Sequence, residues 1–275
     1  MIVRSAMNRI GKMFEALKEK KEKALVGFVT AGDPNISDSL RIITAMCEAG
    51  VDILELGVPF SDPTADGPVI QRSSGRALAE GVNLKAVLEM TRDIREKTEI
   101  PIILFSYYNP ILRYGNEAFY RDARAAGADG VLVVDLPHEE SDEMTDCWTE
   151  PPEEGLSLIR LIAPTTPPER MAQIAESASG FLYLVSKTGV TGSDGLDTEK
   201  IRQHTESLRA VSSLPICVGF GISTPEDVAA IASVADGVVI GSAFERLIEE
   251  NLDHPDLVSV VAEKVRVSKE ATKMP

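Results

Sequence analysis

Beyond its opening Asp52, the stretch DILELGVPFSDPTADGPVIQ at residues 52–71 carries three carboxylates, Glu55, Asp62 and Asp66. Ile53, Leu54, Leu56 and Val58 make its first part an apolar run of the kind that is buried on both faces in a parallel sheet. Glu55, with apolar neighbours on either side, is expected to be desolvated. Desolvation raises a carboxyl pKa, which suits a general acid/base working near neutral pH. The plainer alternative is a side chain turned to solvent, and the apolar neighbours disfavour it. Asp66 stands just ahead of the helical pattern PVIQRSSGRALAEG, so it is either a helix N-cap or a second functional carboxylate.

A second chemistry is spread over three glycine-bearing loops, KTGVTG at 187–192, GFGIS at 219–223 and IGSAF at 240–244. Glycine lets backbone N–H groups approach an anion, and the last loop runs directly into the helical pattern SAFERLIEE, whose N-terminus adds partial positive charge. Each loop alone is ordinary turn chemistry. Together they predict a phosphate site.

The elements that must position these residues alternate along the whole chain. Short apolar runs at 24–30, 51–57, 101–107, 130–135, 156–163, 181–186, 215–221 and 237–242 read as strands, separated by amphipathic segments such as SDSLRIITAMCEAG and NLKAVLEMTRDIREKT. The phrases AGVDILELG, AGADGVLVVD and VADGVVIGS echo one another, each turning at Asp into a strand. This predicts an α/β fold, a single (β/α)8 TIM barrel over residues 1–275. Residues 1–23 supply an extra N-terminal helix, with Ile10, Met13, Phe14 and Leu17 on its apolar face. Residues 24–248 form the barrel core, and 249–275 a final helix with a frayed basic tail. In such a barrel the active site forms at the C-terminal ends of the strands, with phosphate held after strands 7 and 8. A doubly wound open sheet is the competing fold, but neither GxGxxG nor GxxxxGK[ST] is present.

Composition removes several classes of function. Lys and Arg number 28 against 43 Asp and Glu, a formal net charge of −15, so nucleic acid and acidic membrane surfaces are poor partners. Cys47, Cys147 and Cys217 are too few and too far apart for a disulfide framework or a zinc site, and no metal is expected. No run of about 18 apolar residues predicts a membrane span, and the N-terminus lacks the pattern of a signal peptide; a cytoplasmic setting is the expectation.

The lettering of these segments resembles the tryptophan synthase α-subunit family. LELGVPFSDPTADGP at 54–68 carries the strongest likeness, and GFVTAGDP, YYNP, VVDLPHEES, YLVSKTGVTG, GFGIS and IGSAF follow in the family's order, from about Arg9 to about Ile248. The resemblance implies a lyase of tryptophan biosynthesis that cleaves indole-3-glycerol phosphate to indole and glyceraldehyde 3-phosphate by a retro-aldol reaction. By the same likeness, Glu55 moves the proton to indole C3 and assists at the glycerol hydroxyl, and Asp66 accepts the indole N–H. Gly192, Gly221, Gly241 and Ser242 match the phosphate cradle. Phe28, Tyr107, Tyr183 and Phe220 match the indole pocket, although Phe28 reads equally well as barrel core. Thr191 matches a loop residue that closes on the aspartate, and Asp62 one that faces the partner. That partner is a β subunit carrying pyridoxal phosphate in an α2β2 complex, a heterotetramer, while this chain shows no cofactor site of its own.

Several features leave alternatives open. Lys187 stands where family members often have arginine, and a lysine at a barrel strand exit is also where Schiff-base aldolases keep their nucleophile. His138, after the fourth strand, reads as a rim residue or a general base. Pro151 and Pro152 should end the fourth helix early, and nothing in the sequence gives segment 142–157 a function. A stand-alone indole-releasing lyase and an inactive barrel that only binds a partner remain as other readings.

Overall fold

The β-branched, apolar runs pair as parallel strands because helices on the return path cover their outer faces. The structure, a computed structural model, describes residues 8–152, 154–186 and 196–273. Its strands are β1 (Ala24–Thr30), β2 (Ile53–Gly57), β3 (Ile102–Ser106), β4 (Gly130–Val133), β5 (Ser157–Ile162), β6 (Leu182–Val185), β7 (Ile216–Gly219) and β8 (Gly237–Ile240). They pair in sequence order and β8 returns to β1, so the sheet closes into a barrel. The expected (β/α)8 architecture is therefore present, with every predicted strand found within about two residues of its place.

The outer layer is α2 (Ile36–Ala49), α3 (Pro68–Ala79), α4 (Leu84–Arg95), α5 (Tyr108–Tyr114), α6 (Asn116–Ala126), α7 (Asp142–Thr145), α8 (Pro168–Glu176), α9 (Thr198–Arg209), α10 (Pro225–Ala232), α11 (Ser242–Glu250) and α12 (Leu257–Ala271). Alternation along each strand sends Leu54, Leu56 and Leu104 out to these helices and Val26, Phe28, Ile53, Ile103, Phe105, Leu132 and Val239 into the barrel. Cys217 joins this inner layer as a fully buried small hydrophobe. The N-terminal end of the barrel is plugged by α1 (Arg9–Lys20): Ile10 and Leu17 pack into the inner cluster, and Phe14 meets Phe181 at 6.1 Å between ring centroids.

The Asp echo has a physical basis. Asp52 donates its backbone N–H to Leu25 O at 2.9 Å, and its carboxylate accepts the N–H of Leu25 at 2.7 Å. Asp129 clamps Ile102 in the same two ways, at 2.8 and 2.9 Å, and Asp236 clamps Ile216 at 2.8 and 3.0 Å. Each aspartate thus ties the start of its own strand to the start of the preceding one. Each is also paired with a cation: Lys269 at 2.9 Å from Asp52, Arg95 at 2.6 Å from Asp129, and Arg209 at 3.0 Å from Asp236.

Two segments differ from the expectation. The C-terminus is not frayed through residue 273: α12 packs on α2, Lys269 bridges Glu22 and Asp52, and Lys273 forms a β-bridge with Glu22. The fourth helix does end early: α7 has only four residues and stops at Thr145, well before Pro151 and Pro152. The chain beyond it folds over α6, where Trp148 stacks on Tyr120 with 5.4 Å between centroids and Glu150 accepts from the Tyr120 hydroxyl at 2.8 Å. The segment's visible role is to cover α6 in place of a longer helix.

Removing a clamp aspartate should affect stability without touching chemistry at the other end of the barrel. Asp129→Ala leaves the Arg95 guanidinium and the Ile102 N–H without their buried partner; a loss of about 3 kcal/mol, or roughly 10 °C in Tm, is expected in thermal unfolding. A Tm within a degree or two of wild type would contradict the clamp's role.

Candidate active site

Glu55 points into the barrel because it shares an alternation with Ile53, and its registered neighbours are Phe28 on β1 and Ile103 on β3. It is wholly buried, and neither carboxyl oxygen accepts a hydrogen bond among the described residues. Burial alone pushes its pKa up to about 8. The sequence-based expectation of a desolvated strand carboxyl is therefore met, with a folding cost of roughly 5 kcal/mol at alkaline pH.

Asp66 does not cap α3. Gly67 occupies the N-cap position with no side-chain cap bond, and Pro68 opens the helix. The carboxylate instead accepts the Tyr107 hydroxyl at 3.1 Å, while the same phenol oxygen accepts the Ala65 N–H at 2.9 Å. Tyr107 thus ties the Asp66 carboxylate to the Ala65 amide beside the cavity, with its hydroxyl as the group in use. Burial raises the Asp66 pKa to about 6, with the Tyr107 bond acting in the opposite direction.

Both carboxylates line one cavity of about 400 Å³ at the C-terminal mouth of the barrel, together with Phe28, Phe105, Tyr183, Phe220 and Val239. Phe28 meets Phe105 edge-on at 5.1 Å, and Tyr183 meets Phe220 edge-on at 6.1 Å, which leaves an aromatic-walled slot. Gly219 permits this wall: a Cβ there would stand 2.1 Å from the Tyr183 hydroxyl oxygen. Phe220 and Gly221 then follow with φ of 80° and 74°, and a left-handed phenylalanine is strained. Strain of this kind concentrates where a side chain or an amide must be aimed.

Gly221, Gly241 and Ser242 form the other end of the cavity. Gly241 is the N-cap of α11 and offers no side-chain cap, so the helix presents its first amides and its positive end to the cavity. These are groups from which the sequence predicts a phosphate site. Gly192 and Thr191, along with Lys187, lie outside the described residues. Asp62 is exposed and accepts the Ser61 hydroxyl at 2.6 Å, clear of the cavity. His138 sits on the rim after β4 with Nε2 3.1 Å from Glu139, and it too is clear of the cavity.

An ion-pair cluster beneath the mouth joins α3 to α11. Arg76 makes a two-point contact with Asp33 at 2.6 and 2.8 Å and reaches Glu249 at 2.9 Å, and Arg72 holds both oxygens of Glu249 at 2.7 Å. Sequence reasoning missed this cluster, whose members are far apart in the chain. It also missed Phe105 and Arg246 in the lining; Arg246 carried a usable signal, because it falls one helical turn after Ser242.

A closed parallel barrel whose mouth joins two desolvated carboxylates to the bare N-terminus of a helix is the architecture of a (β/α)8-barrel enzyme built for acid/base chemistry. Comparison with known proteins narrows this. A family model described as tryptophan synthase alpha chain matches residues 14–273. The tryptophan synthase alpha chains of Desulfosudis oleivorans and Desulfatibacillum aliphaticivorans are 66% and 62% identical, over 98% and 97% of this chain and 100% of each relative. The solved subunit alpha of Legionella pneumophila tryptophan synthase superposes with a TM-score of 0.88 at 40% identity, covering 97% of this chain and 99% of that one. A chain of Mycobacterium tuberculosis tryptophan synthase gives 0.88 at 33% identity, over 98% and 100%. The chain belongs to the tryptophan synthase alpha chain family, and is a lyase acting on indole-3-glycerol phosphate in tryptophan biosynthesis. No helix among the described residues is long and apolar enough to cross a membrane.

The raised pKa of Glu55 makes a prediction about stability. Below its ordinary value of 4.5 the carboxyl is protonated folded or unfolded, and burial carries no ionisation penalty. Between 4.5 and about 8 only the unfolded chain ionises, so the native state loses stability as pH rises. Glu55→Gln removes that dependence. Its Tm should rise relative to wild type by several degrees between pH 5 and pH 8, and a pH-independent difference would show that Glu55 is not desolvated.

Proposed function

We propose that this chain cleaves indole-3-glycerol phosphate to indole and glyceraldehyde 3-phosphate by a retro-aldol reaction, with Glu55 as the acid/base and Asp66 as the partner of the indole nitrogen. The observation that carries the reading is the separation of the two pKa values, about 8 for Glu55 and about 6 for Asp66, within one aromatic-walled cavity. Near pH 7 the first carboxyl is mostly protonated and the second mostly ionised, as an acid and an acceptor must be.

Glu55 delivers its proton to C3 of the indole ring, which leaves an indolenine-type cation whose N–H is held by the Asp66 carboxylate. The Glu55 carboxylate then removes the proton of the adjacent glycerol hydroxyl. The C–O bond becomes a carbonyl, the bond from C3 to the glycerol carbon breaks, and its electron pair restores the aromatic ring. Glu55 ends protonated, as it began. Phe28, Tyr183 and Phe220 hold the ring, and Gly221, Gly241 and Ser242, with Gly192 from outside the described residues, hold the phosphate. This mechanism asks no cofactor of the chain. Pyridoxal phosphate belongs in this reading to a β subunit that receives the indole in an α2β2 complex, with Thr191 closing over the site and the exposed Asp62 facing the partner.

The test is indole release from purified chain, alone and with a β subunit. Slow release that rises severalfold with the partner supports both reaction and complex; fast release alone supports a stand-alone lyase, and none under either condition refutes the reaction. Glu55→Gln should lower kcat by on the order of 10³-fold with its circular dichroism intact. The pH profile of kcat/KM should fall below about 6, as Asp66 takes up a proton, and above about 8, as Glu55 loses one. Asp66→Asn should abolish the acid limb along with most of the activity. Borohydride quenching of the wild type in the presence of substrate should leave the protein mass unchanged; an adduct at Lys187 would replace this mechanism with an imine one.

A further inference from the structure

The described lining of the cavity contains two acidic side chains, Glu55 and Asp66, and a single cationic one, Arg246. It lies in a chain of net charge −15, where the general field repels anions. Arg246 is on α11 four residues after Ser242, so the two share a helix face. Helical side chains lean toward the N-terminus, which carries the guanidinium of Arg246 over the amide end of α11 and away from its C-terminal acids.

Two of the three acidic residues on its own helix are already engaged. Glu245 is wholly buried on a different face, where it accepts the Thr30 N–H, and Glu249 is held at 2.7 Å by Arg72 and at 2.9 Å by Arg76, while Glu250, four residues on, is exposed and makes no ion pair with Arg246. Arg246 is exposed and, among the described residues, forms neither an ion pair nor a side-chain hydrogen bond. The ion-pair cluster thus absorbs Glu249, three residues along the helix from Arg246, and leaves the exposed Glu250 as the one acid of the helix without a partner among the described residues.

We propose that Arg246 is a specificity residue that closes on the substrate phosphate from the solvent side, supplying the positive side chain that the amides of Gly221, Gly241 and Ser242 lack. The assignment rests on the phosphate site proposed above. Amides and a helix end attract any small anion, whereas a guanidinium adds a full charge and a planar two-point contact suited to a phosphate dianion. Arg246 therefore discriminates phosphorylated from unphosphorylated substrate, a task for which the acidic mouth of the barrel is otherwise unsuited.

Indole release from indole-3-glycerol phosphate and from unphosphorylated indole-3-glycerol measures this directly. Arg246→Ala should lower kcat/KM for the phosphorylated substrate by about tenfold, mainly through KM, and by at least fivefold more than for the unphosphorylated one. Arg246→Lys should recover part of the loss. An equal loss on both substrates, or none on either, overturns the assignment. Titration calorimetry of the full chain with glycerol 3-phosphate gives a readout that needs no turnover. Weaker binding by Arg246→Ala supports the assignment even if wild type releases no indole, in which case only the reaction reading fails. Equal binding by variant and wild type overturns it, and no binding by wild type overturns it together with the phosphate site.

Discussion

The rest of the structure is organised around a carboxyl that the protein keeps out of water and leaves without a hydrogen bond. Glu55 is buried at the level of Phe28 and Ile103, and nothing among the described residues compensates it. A site of this kind persists only inside a scaffold rigid enough to resist both water entry and collapse of the wall. The closed sheet supplies that rigidity, since a barrel has no edge strand that can peel away. Its N-terminal end adds more: the three aspartate clamps fix strand starts in pairs, and α1 seals the floor with Ile10, Phe14 and Leu17.

Stability and chemistry are thereby separated along the barrel axis. Asp52, Asp129 and Asp236 are structural at one end, each bonded to backbone and to a cation. Glu55 and Asp66 are at the other end, the first buried and the second half-buried, without a cationic partner among the described residues and so available. Carboxylates perform opposite tasks because one set is held by backbone and cationic donors, whereas Glu55 has no donor among the described residues and Asp66 only the Tyr107 hydroxyl. Tyr107 marks the boundary between the two treatments: its single bond to Asp66 orients the carboxylate yet leaves burial the larger effect on its pKa.

The sequence disclosed the parts of this that depend on local pattern. Alternating apolar runs reported the strands, the glycines at 221 and 241 reported the open helix end, and a glutamate among leucines reported the buried acid. The Asp repeat was visible as lettering, but its meaning was not, because each clamp closes on a strand some 20 to 30 residues earlier. The hydroxyl bonds of Tyr107 to the Asp66 loop were not legible, since an aromatic letter does not reveal whether its ring or its hydroxyl is in use. The pairing of α3 with α11 was illegible for a similar reason: Arg76 and Glu249 are 173 positions apart, and only closure of the barrel brings them together.

That pairing reaches the cavity. The loop bearing Asp66 leads directly into α3, and the amides that face the cavity begin α11, so the Arg76, Asp33 and Glu249 contacts hold the two ends of the cavity on a common brace. Ion pairs below the mouth therefore tie α3 to α11, on which the two ends of the cavity are mounted. Two helices that are 173 positions apart at the contact are thus fastened side by side, and the loop and the amides they carry share one foundation.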